Sequence, residues 1–256
     1  MRILIAVVLL VPAGAFASSS FDGTWKGRVD SMKVTGKPDA FVVADGIYTC
    51  SSCVPEVNIK ADGTDQKVTG HDYYDTIAVK IVDAKTIEIT NKRAGKTVDT
   101  TTYTVSADGK TLSGKFADYN GAKPATGSFA EKRVGAAPAG AHATSGSWLQ
   151  NALSDANDAA TIVSYEMTKE HFAMHANGQG YDAKFDGKEY PVEGDPGHTV
   201  VTLKMVDENT VIETDRRGGK ITDEIRLAAA KDGKTMTLTD KDVIHGQTTT
   251  FTLDRQ

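Results

Sequence analysis

The chain has 256 residues, of which 39% are hydrophobic and 25% are charged, and its formal net charge is −5. Its lysines and arginines are scattered rather than massed in one segment, which argues against nucleic acid or an anionic membrane as a partner. The acidic excess favours solubility.

The first residues, MRILIAVVLLVPAGAFASSS, have the pattern of a secretory signal. Arg2 precedes an apolar run from Ile3 to Val11, and small residues follow, so we expect a signal peptide over residues 1–17, cleaved before Ser18. The run is shorter than the ~20 residues that span a bilayer, which predicts no transmembrane segment. We therefore expect an exported protein, periplasmic or extracellular, in an oxidising compartment.

The chain contains an internal repeat. Residues 41–112 align with residues 165–236 at a constant shift of 124, which places KIVDAKTIEIT over KMVDENTVIET and SADGKTL over AKDGKTM. Between Val57 and Leu112, about eighteen of roughly fifty-six positions are identical, so the sequence is a duplication.

The two repeat units are predicted to be separate domains, over residues 21–134 and 147–256. Trp25 in DGTWK and Trp148 in SGSWL stand near the starts of the two units. The Ala- and Gly-rich stretch between them shows no apolar periodicity, which predicts a linker over residues 135–146. Each unit is long enough to bury a core of its own.

Both units consist of short apolar and polar alternations, as where Ile77, Val79 and Ile81 share one face. Asp-Gly and Asn-Gly pairs, which favour tight hairpin turns, separate these segments. No long segment has a helical period. The sequence therefore predicts an all-β fold with eight to ten antiparallel strands per unit, closed as two tandem up-and-down barrels.

Two resemblances follow from these motifs. The Gly-Thr-Trp at residues 23–25 resembles the opening motif of the calycins, which include the lipocalins, and this resemblance implies that Trp25 and Trp148 plug the closed ends of lipocalin-like barrels. The wider pattern, with YTCSSCVP, VSADGKTL and DGKEYPVEGDP, is similar to a group of exported bacterial β-proteins with tandem repeats and no assigned activity. That similarity implies export and a duplicated β fold.

Cys50 and Cys53 form a C-x-x-C motif that is compatible with redox chemistry, a metal, haem or a disulfide. Under the repeat they flank a turn, where Cα atoms three residues apart approach within the ~7 Å that a disulfide allows. No helix is readable after Cys53 to activate a thiol, Val54 stands where haem attachment needs histidine, and metal ligands are too few. We expect a disulfide worth about 2 kcal/mol at most, with a metal or redox sensor as the alternative.

The loops HDYYD and DPGHT occupy equivalent places in the two units, where barrel-mouth loops often carry binding residues. Histidine with aspartate could support ligand binding or acid–base chemistry, and ordinary turn chemistry is the alternative interpretation. The candidate ligand-binding residues are His71, Asp72, Tyr73, Tyr74 and His198.

Other motifs are interpreted as structural. His171 and His175 have the spacing of zinc ligands on a helix, but on a strand they lie too far apart to share a metal. The basic hairpin tips around Arg93 and Arg217 are read as solvated turns. No catalytic triad and no phosphate-binding loop is legible, so we expect no enzyme activity, no cofactor and no metal.

Two functions remain open at this point. If the barrels are hollow, the protein is a carrier for a small apolar ligand. If their own side chains fill them, it is a structural or protein-interaction module of the cell envelope.

Overall fold

The computed structural model describes residues 19–256, so the predicted signal peptide lies outside the described residues. The strands of the first half are β1 (Gly23–Gly36), β2 (Asp39–Ala44), β3 (Ile47–Cys50), β4 (Val57–Lys60), β5 (Gln66–Lys67), β6 (Thr76–Asp83), β7 (Thr86–Arg93), β8 (Lys96–Val105), β9 (Thr111–Asp118) and β10 (Ala125–Gly135). The second half comprises β11 (Gly146–Ser154), helix α1 (Asp158–Thr161), β12 (Ile162–Met167), β13 (His171–Ala176), β14 (Gln179–Lys184), β15 (Tyr190–Pro191), β16 (Val200–Asp207), β17 (Thr210–Arg217), β18 (Lys220–Ala229), β19 (Thr235–Asp242) and β20 (Gln247–Arg255).

The strands form two antiparallel sheets of ten strands each, and both sheets curl into nearly closed barrels. The predicted all-β fold with two tandem barrels is therefore confirmed. In each barrel one strand after another pairs with its sequence neighbour, which is the up-and-down order. Inward side chains alternate with outward ones along every strand, which gives each barrel its own apolar core.

The two barrels exchange their first strands. The sheet made of β2 to β10 is completed by β11, and we call it the first barrel. The sheet made of β12 to β20 is completed by β1, and we call it the second barrel. Each barrel therefore combines strands from both repeat units. The division of the chain into domains at 21–134 and 147–256 stays a prediction.

Short connections enforce this exchange. Two residues, Lys37 and Pro38, separate β1 in the second barrel from β2 in the first. A proline biases the residue before it toward extended backbone, so the chain continues into the neighbouring barrel rather than folding back as a hairpin. Where β1 and β11 pass each other, the Gln150 Nε2 atom lies 3.6 Å from the Met32 Sδ atom.

The segment predicted as a linker connects β10 to β11, two adjacent strands of the first barrel. It packs against that barrel: Thr144 and Ser145 are fully buried, and the His142 backbone N–H donates to the Val43 carbonyl. The composition of this segment predicted a linker, because alanine and glycine residues do not reveal in the sequence that the segment packs against the barrel.

A fully buried tryptophan lies at one end of each barrel, and we call this end the floor. The indole N–H of Trp148 donates to the Thr144 carbonyl, and the Arg133 guanidinium lies 3.9 Å from the centre of its ring. Trp25 is held in the same way in the second barrel, where Arg255 covers its ring. A cation over a desolvated indole adds electrostatic attraction to the packing.

Cys50 and Cys53 are joined in a disulfide, with Cα atoms 5.4 Å apart, at the turn after β3. The predicted disulfide is therefore confirmed. Among residues 19–256 there is no helix with the length and apolar character needed to cross a bilayer.

The strand exchange can be tested by cross-linking. Lys26 on β1 faces Asp254 on β20, and their side chains are partly exposed, so the variant Lys26→Cys/Asp254→Cys should form an intramolecular disulfide on oxidation. The matched control is Lys26→Cys/Lys132→Cys, because Lys132 holds the corresponding position on β10. We expect no bond in the control, as judged by intact mass and thiol titration; the reverse pattern would show that each unit keeps its own first strand.

Candidate functional site

The open ends of the two barrels, which we call the mouths, face each other. The β9–β10 turn of the first barrel meets the β13–β14 turn of the second, where the Asn177 carbonyl accepts from the Ala122 backbone N–H at 2.7 Å. The Asn177 side chain adds two hydrogen bonds to the Lys123 backbone. Beyond β1, Lys37 N–H donates to the Gly246 carbonyl in the β19–β20 turn. With the turn around Arg217 and the β15–β16 loop around Gly197, four connections of the second mouth therefore dock on the first barrel or on the segment that leads into it.

The two loops singled out in the sequence meet at this junction. The Tyr73 ring lies so close to Gly197 that a Cβ atom there would come within 2.8 Å of it. Arg217, at the β17–β18 turn, donates to the Tyr73 hydroxyl at 2.8 Å and lies 3.2 Å from an Asp72 carboxylate oxygen. These contacts join the barrels, and they occupy Asp72 and Tyr73 at least in part.

The other candidate residues lie at the edge of the same junction. His71 stacks on Tyr74 with ring centres 4.6 Å apart, and partial burial lowers the pKa of His71. His198 is exposed, and its backbone has a positive φ of 56° in a turn capped by Asp195. The structure thus brings both loops together, and a role in ligand binding stays a prediction for His71, Asp72, Tyr73, Tyr74 and His198.

Inside the second barrel the inward side chains change from apolar at the floor to acidic at the mouth. Along β17 the inward positions are Val211, Glu213, Asp215 and Arg217. The neighbouring strands follow the same order, with Leu227, Ile225 and Asp223 on β18 and Met236, Leu238, Asp240 and Asp242 on β19. The second barrel therefore has an apolar base at its floor and an acidic rim at its mouth.

Burial raises the pKa of several carboxyls in this acidic rim. Glu213 is 5% exposed and accepts a hydrogen bond from the Tyr181 hydroxyl at 2.5 Å. Burial raises the pKa of Glu213 and of Asp215, and the charge of Glu213 adds to the rise at Asp215. Burial and the charges of neighbouring carboxylates raise the pKa of Asp240 to about 7. The rim therefore offers protonated carboxyls as donors as well as carboxylates as acceptors.

Aromatic rings line the inside of the first barrel. Phe41 lies next to Tyr48 and Tyr103, with ring centres 5.7 Å and 5.8 Å apart, and Tyr103 meets the edge of Phe129 at 5.7 Å. Toward the mouth, burial raises the pKa of Asp99 to about 6, and the Asn91 amide donates to its carboxylate at 2.9 Å.

Glu131 points into this aromatic interior from β10, on the same face as Phe129 and opposite the buried Leu112. It is 5% exposed, and its Oε2 atom has no hydrogen-bond partner among residues 19–256. Burial and, to a lesser extent, the nearby Asp39 raise the pKa of Glu131 to about 8. Arg133, two residues farther on, donates instead to the carbonyls of the floor.

The inward side chains above the floor are not fully buried. In the second barrel Leu227 and Met236 are at most 1% exposed, whereas Ile225, Leu238 and Phe251, on the same inward face, are only partly buried. Because these three side chains share the inward face, their accessible surface lies on the interior side. Solvent therefore reaches part of the interior surface of the second barrel.

Two further depressions lie on the outer surface. One, of about 430 Å³, is lined by outward residues of β16 and β17, and the other, of about 470 Å³, adjoins the β13–β14 turn. His171 pairs with Asp182 on the adjacent strand and His175 is exposed. Within the described part of the chain, no three His, Cys, Asp or Glu side chains converge in a way that could hold a metal ion.

Sequence reasoning missed the inward carboxyls, although part of the signal was present. At the shift of 124, Glu213 falls on Ile89 and Asp240 falls on Phe116, so the second unit has acids where the first has core residues. The repeat alignment did not reveal Glu131, because the turn before β20 is two residues shorter than the turn before β10. Beyond these turns the shift of 124 no longer pairs equivalent residues. The residue that takes its place in the second barrel is Leu253, which faces Met236 as Glu131 faces Leu112.

The sequence matches no known family model and no curated protein, and the structure matches no solved structure. The function therefore has to be inferred from the geometry and chemistry of the interior.

The raised pKa of Glu131 makes the fold depend on pH. The unfolded chain loses this proton near pH 4.5 and the folded protein loses it near pH 8, so between these values the folded state binds more protons and the free energy of unfolding falls as pH rises. We expect a fall on the order of 5 kcal/mol from this group. The variant Glu131→Gln should remove that part of the slope in urea unfolding series, and Glu56→Gln, at an exposed position, should not. Parallel slopes for Glu131→Gln and the unmodified protein would contradict the assignment.

Proposed function

We propose that this protein is exported and binds a small molecule inside its barrels, in the space between the floors and the apposed mouths. The observation that carries the proposal is the accessible inward surface of Ile225, Leu238 and Phe251 above a fully buried floor. A filled core would bury these side chains as completely as Leu227.

The chemistry of the walls indicates the kind of ligand. A molecule in the second barrel would place an apolar part against Leu238 and Phe251 and a polar part toward Asp215 and Asp240. Both carboxyls have a buried oxygen without a hydrogen-bond partner among the described residues. An unpaired polar atom in a site of low dielectric gains more from a ligand than it would in water. The expectation of a small apolar ligand is thereby refined to a ligand with one polar end.

A second function is favoured by one observation in the first barrel. The rings of Phe129 and Phe116 cover Gly114 and Gly127 so closely that neither glycine has room for a side chain. If such rings fill both barrels, the protein is an envelope module that acts through its outer surface on another protein. The two functions differ in whether the interior is occupied.

Native mass spectrometry of protein purified from its own envelope, followed by organic extraction, tests the proposal. We expect a bound molecule of defined mass that leaves on extraction. The variant Asp240→Phe, which installs the residue found at the equivalent place in the first barrel, should fill the space and abolish this occupancy.

The matched control is Lys241→Phe, which adds the same ring on the outer face of the same strand. It should retain the bound molecule, and circular dichroism should show that both variants are folded. An apo protein with an interior that takes up no apolar fluorescent probe would contradict the proposal and favour the interaction module.

A further inference from the structure

Glu131 is a buried side chain of the first barrel whose Oε2 atom has no hydrogen-bond partner among residues 19–256. At the equivalent place the second barrel has Leu253, which is 4% exposed, so the architecture is complete with an apolar residue there. Replacing leucine by a carboxyl that has an unpartnered oxygen costs free energy. A buried carboxyl that the fold does not require, and whose burial costs free energy, indicates a role in binding a ligand.

The surroundings of Glu131 define the chemistry of that ligand. The chain of rings formed by Phe41, Tyr48, Tyr103 and Phe129 lies on the same inward face. Aromatic faces attract cations, most strongly where water is excluded. The charge of Asp39 raises the pKa of Glu131, so Asp39 does not act as a positive counter-ion for this carboxyl.

The two arginines of the first barrel are engaged elsewhere. Arg133 donates to the carbonyls of Gly109, Ala143 and Ser145 and covers Trp148. Arg93, at the mouth, donates to carbonyls of the two docked loops. The interior of the first barrel therefore combines a buried carboxyl with aromatic walls, and neither arginine is directed at Glu131.

We propose that the first barrel binds the ammonium group of a small primary amine through Glu131, with the apolar part of the amine against the aromatic rings. This inference rests on the proposed function and adds a ligand class to it. The positive charge of the ammonium group favours the ionised form of Glu131, so that an ammonium N–H donates a charge-assisted hydrogen bond to a carboxylate, and the rings hold both the cation and its hydrocarbon part.

The carboxyl of the second barrel supplies a matched comparison. Glu213 is as deeply buried as Glu131, with 5% exposure, but the Tyr181 hydroxyl already donates to it. Substitution of Glu213 by glutamine therefore removes a buried carboxyl of similar exposure without touching the proposed amine site.

Calorimetric titration with 2-phenylethylamine and with its neutral isostere 2-phenylethanol tests the inference. We expect the amine to bind at least ~10-fold more tightly than the alcohol, which corresponds to one charge-assisted hydrogen bond. Glu131→Gln should remove this preference while leaving the affinity for the alcohol unchanged. Glu213→Gln should keep the preference.

Each remaining outcome has a defined meaning. Equal affinity for the two compounds, or a preference that survives in Glu131→Gln, would overturn the amine site and leave the proposed function standing. Binding of neither compound by the unmodified protein would also overturn the amine site, and the extraction experiment would then decide the proposed function separately.

Discussion

The exchange of β1 and β11 is the constraint on which the rest of the structure depends. Each barrel lacks a strand from its own unit and receives the equivalent strand from the other, so the tryptophan at each floor comes from the opposite half of the repeat. A connection of only two residues between β1 and β2 joins the two barrels at their mouths. Short connections of this kind favour exchange over a strained hairpin.

The contact between the two mouths explains why the carboxyls with raised pKa values lie in the interior of the barrels. The turns around Asn177, Gly246 and Arg217 dock on the other barrel, which shields the inward carboxyls from bulk water. Reduced solvation in turn raises the pKa of these acids, as at Asp99 and Glu131. Docking, desolvation and protonation are therefore linked, and any ligand in the barrels meets donors and acceptors that an open mouth would have left hydrated.

The sequence predicted the strands and the disulfide because both are local. Alternation at Ile77, Val79 and Ile81 and the turn around Cys50 depend on neighbours a few residues away. The strand exchange could not be predicted, because β1 and β11 carry the same opening pattern and fit either barrel. The acid at Glu131 escaped detection because its side chain matters only through residues of other strands, and a two-residue difference between the units displaced it from the repeat alignment.

Deletion of residues 19–36, which removes β1 with Trp25, tests the exchange most directly when combined with amide hydrogen exchange measured by mass spectrometry. The structure predicts that protection is lost in β12 to β20, whose floor depends on Trp25, and is retained in β2 to β11, whose floor contains Trp148. Loss of protection in β2 to β10 with a protected β12 to β20 would contradict it, since that pattern requires each unit to fold around its own first strand.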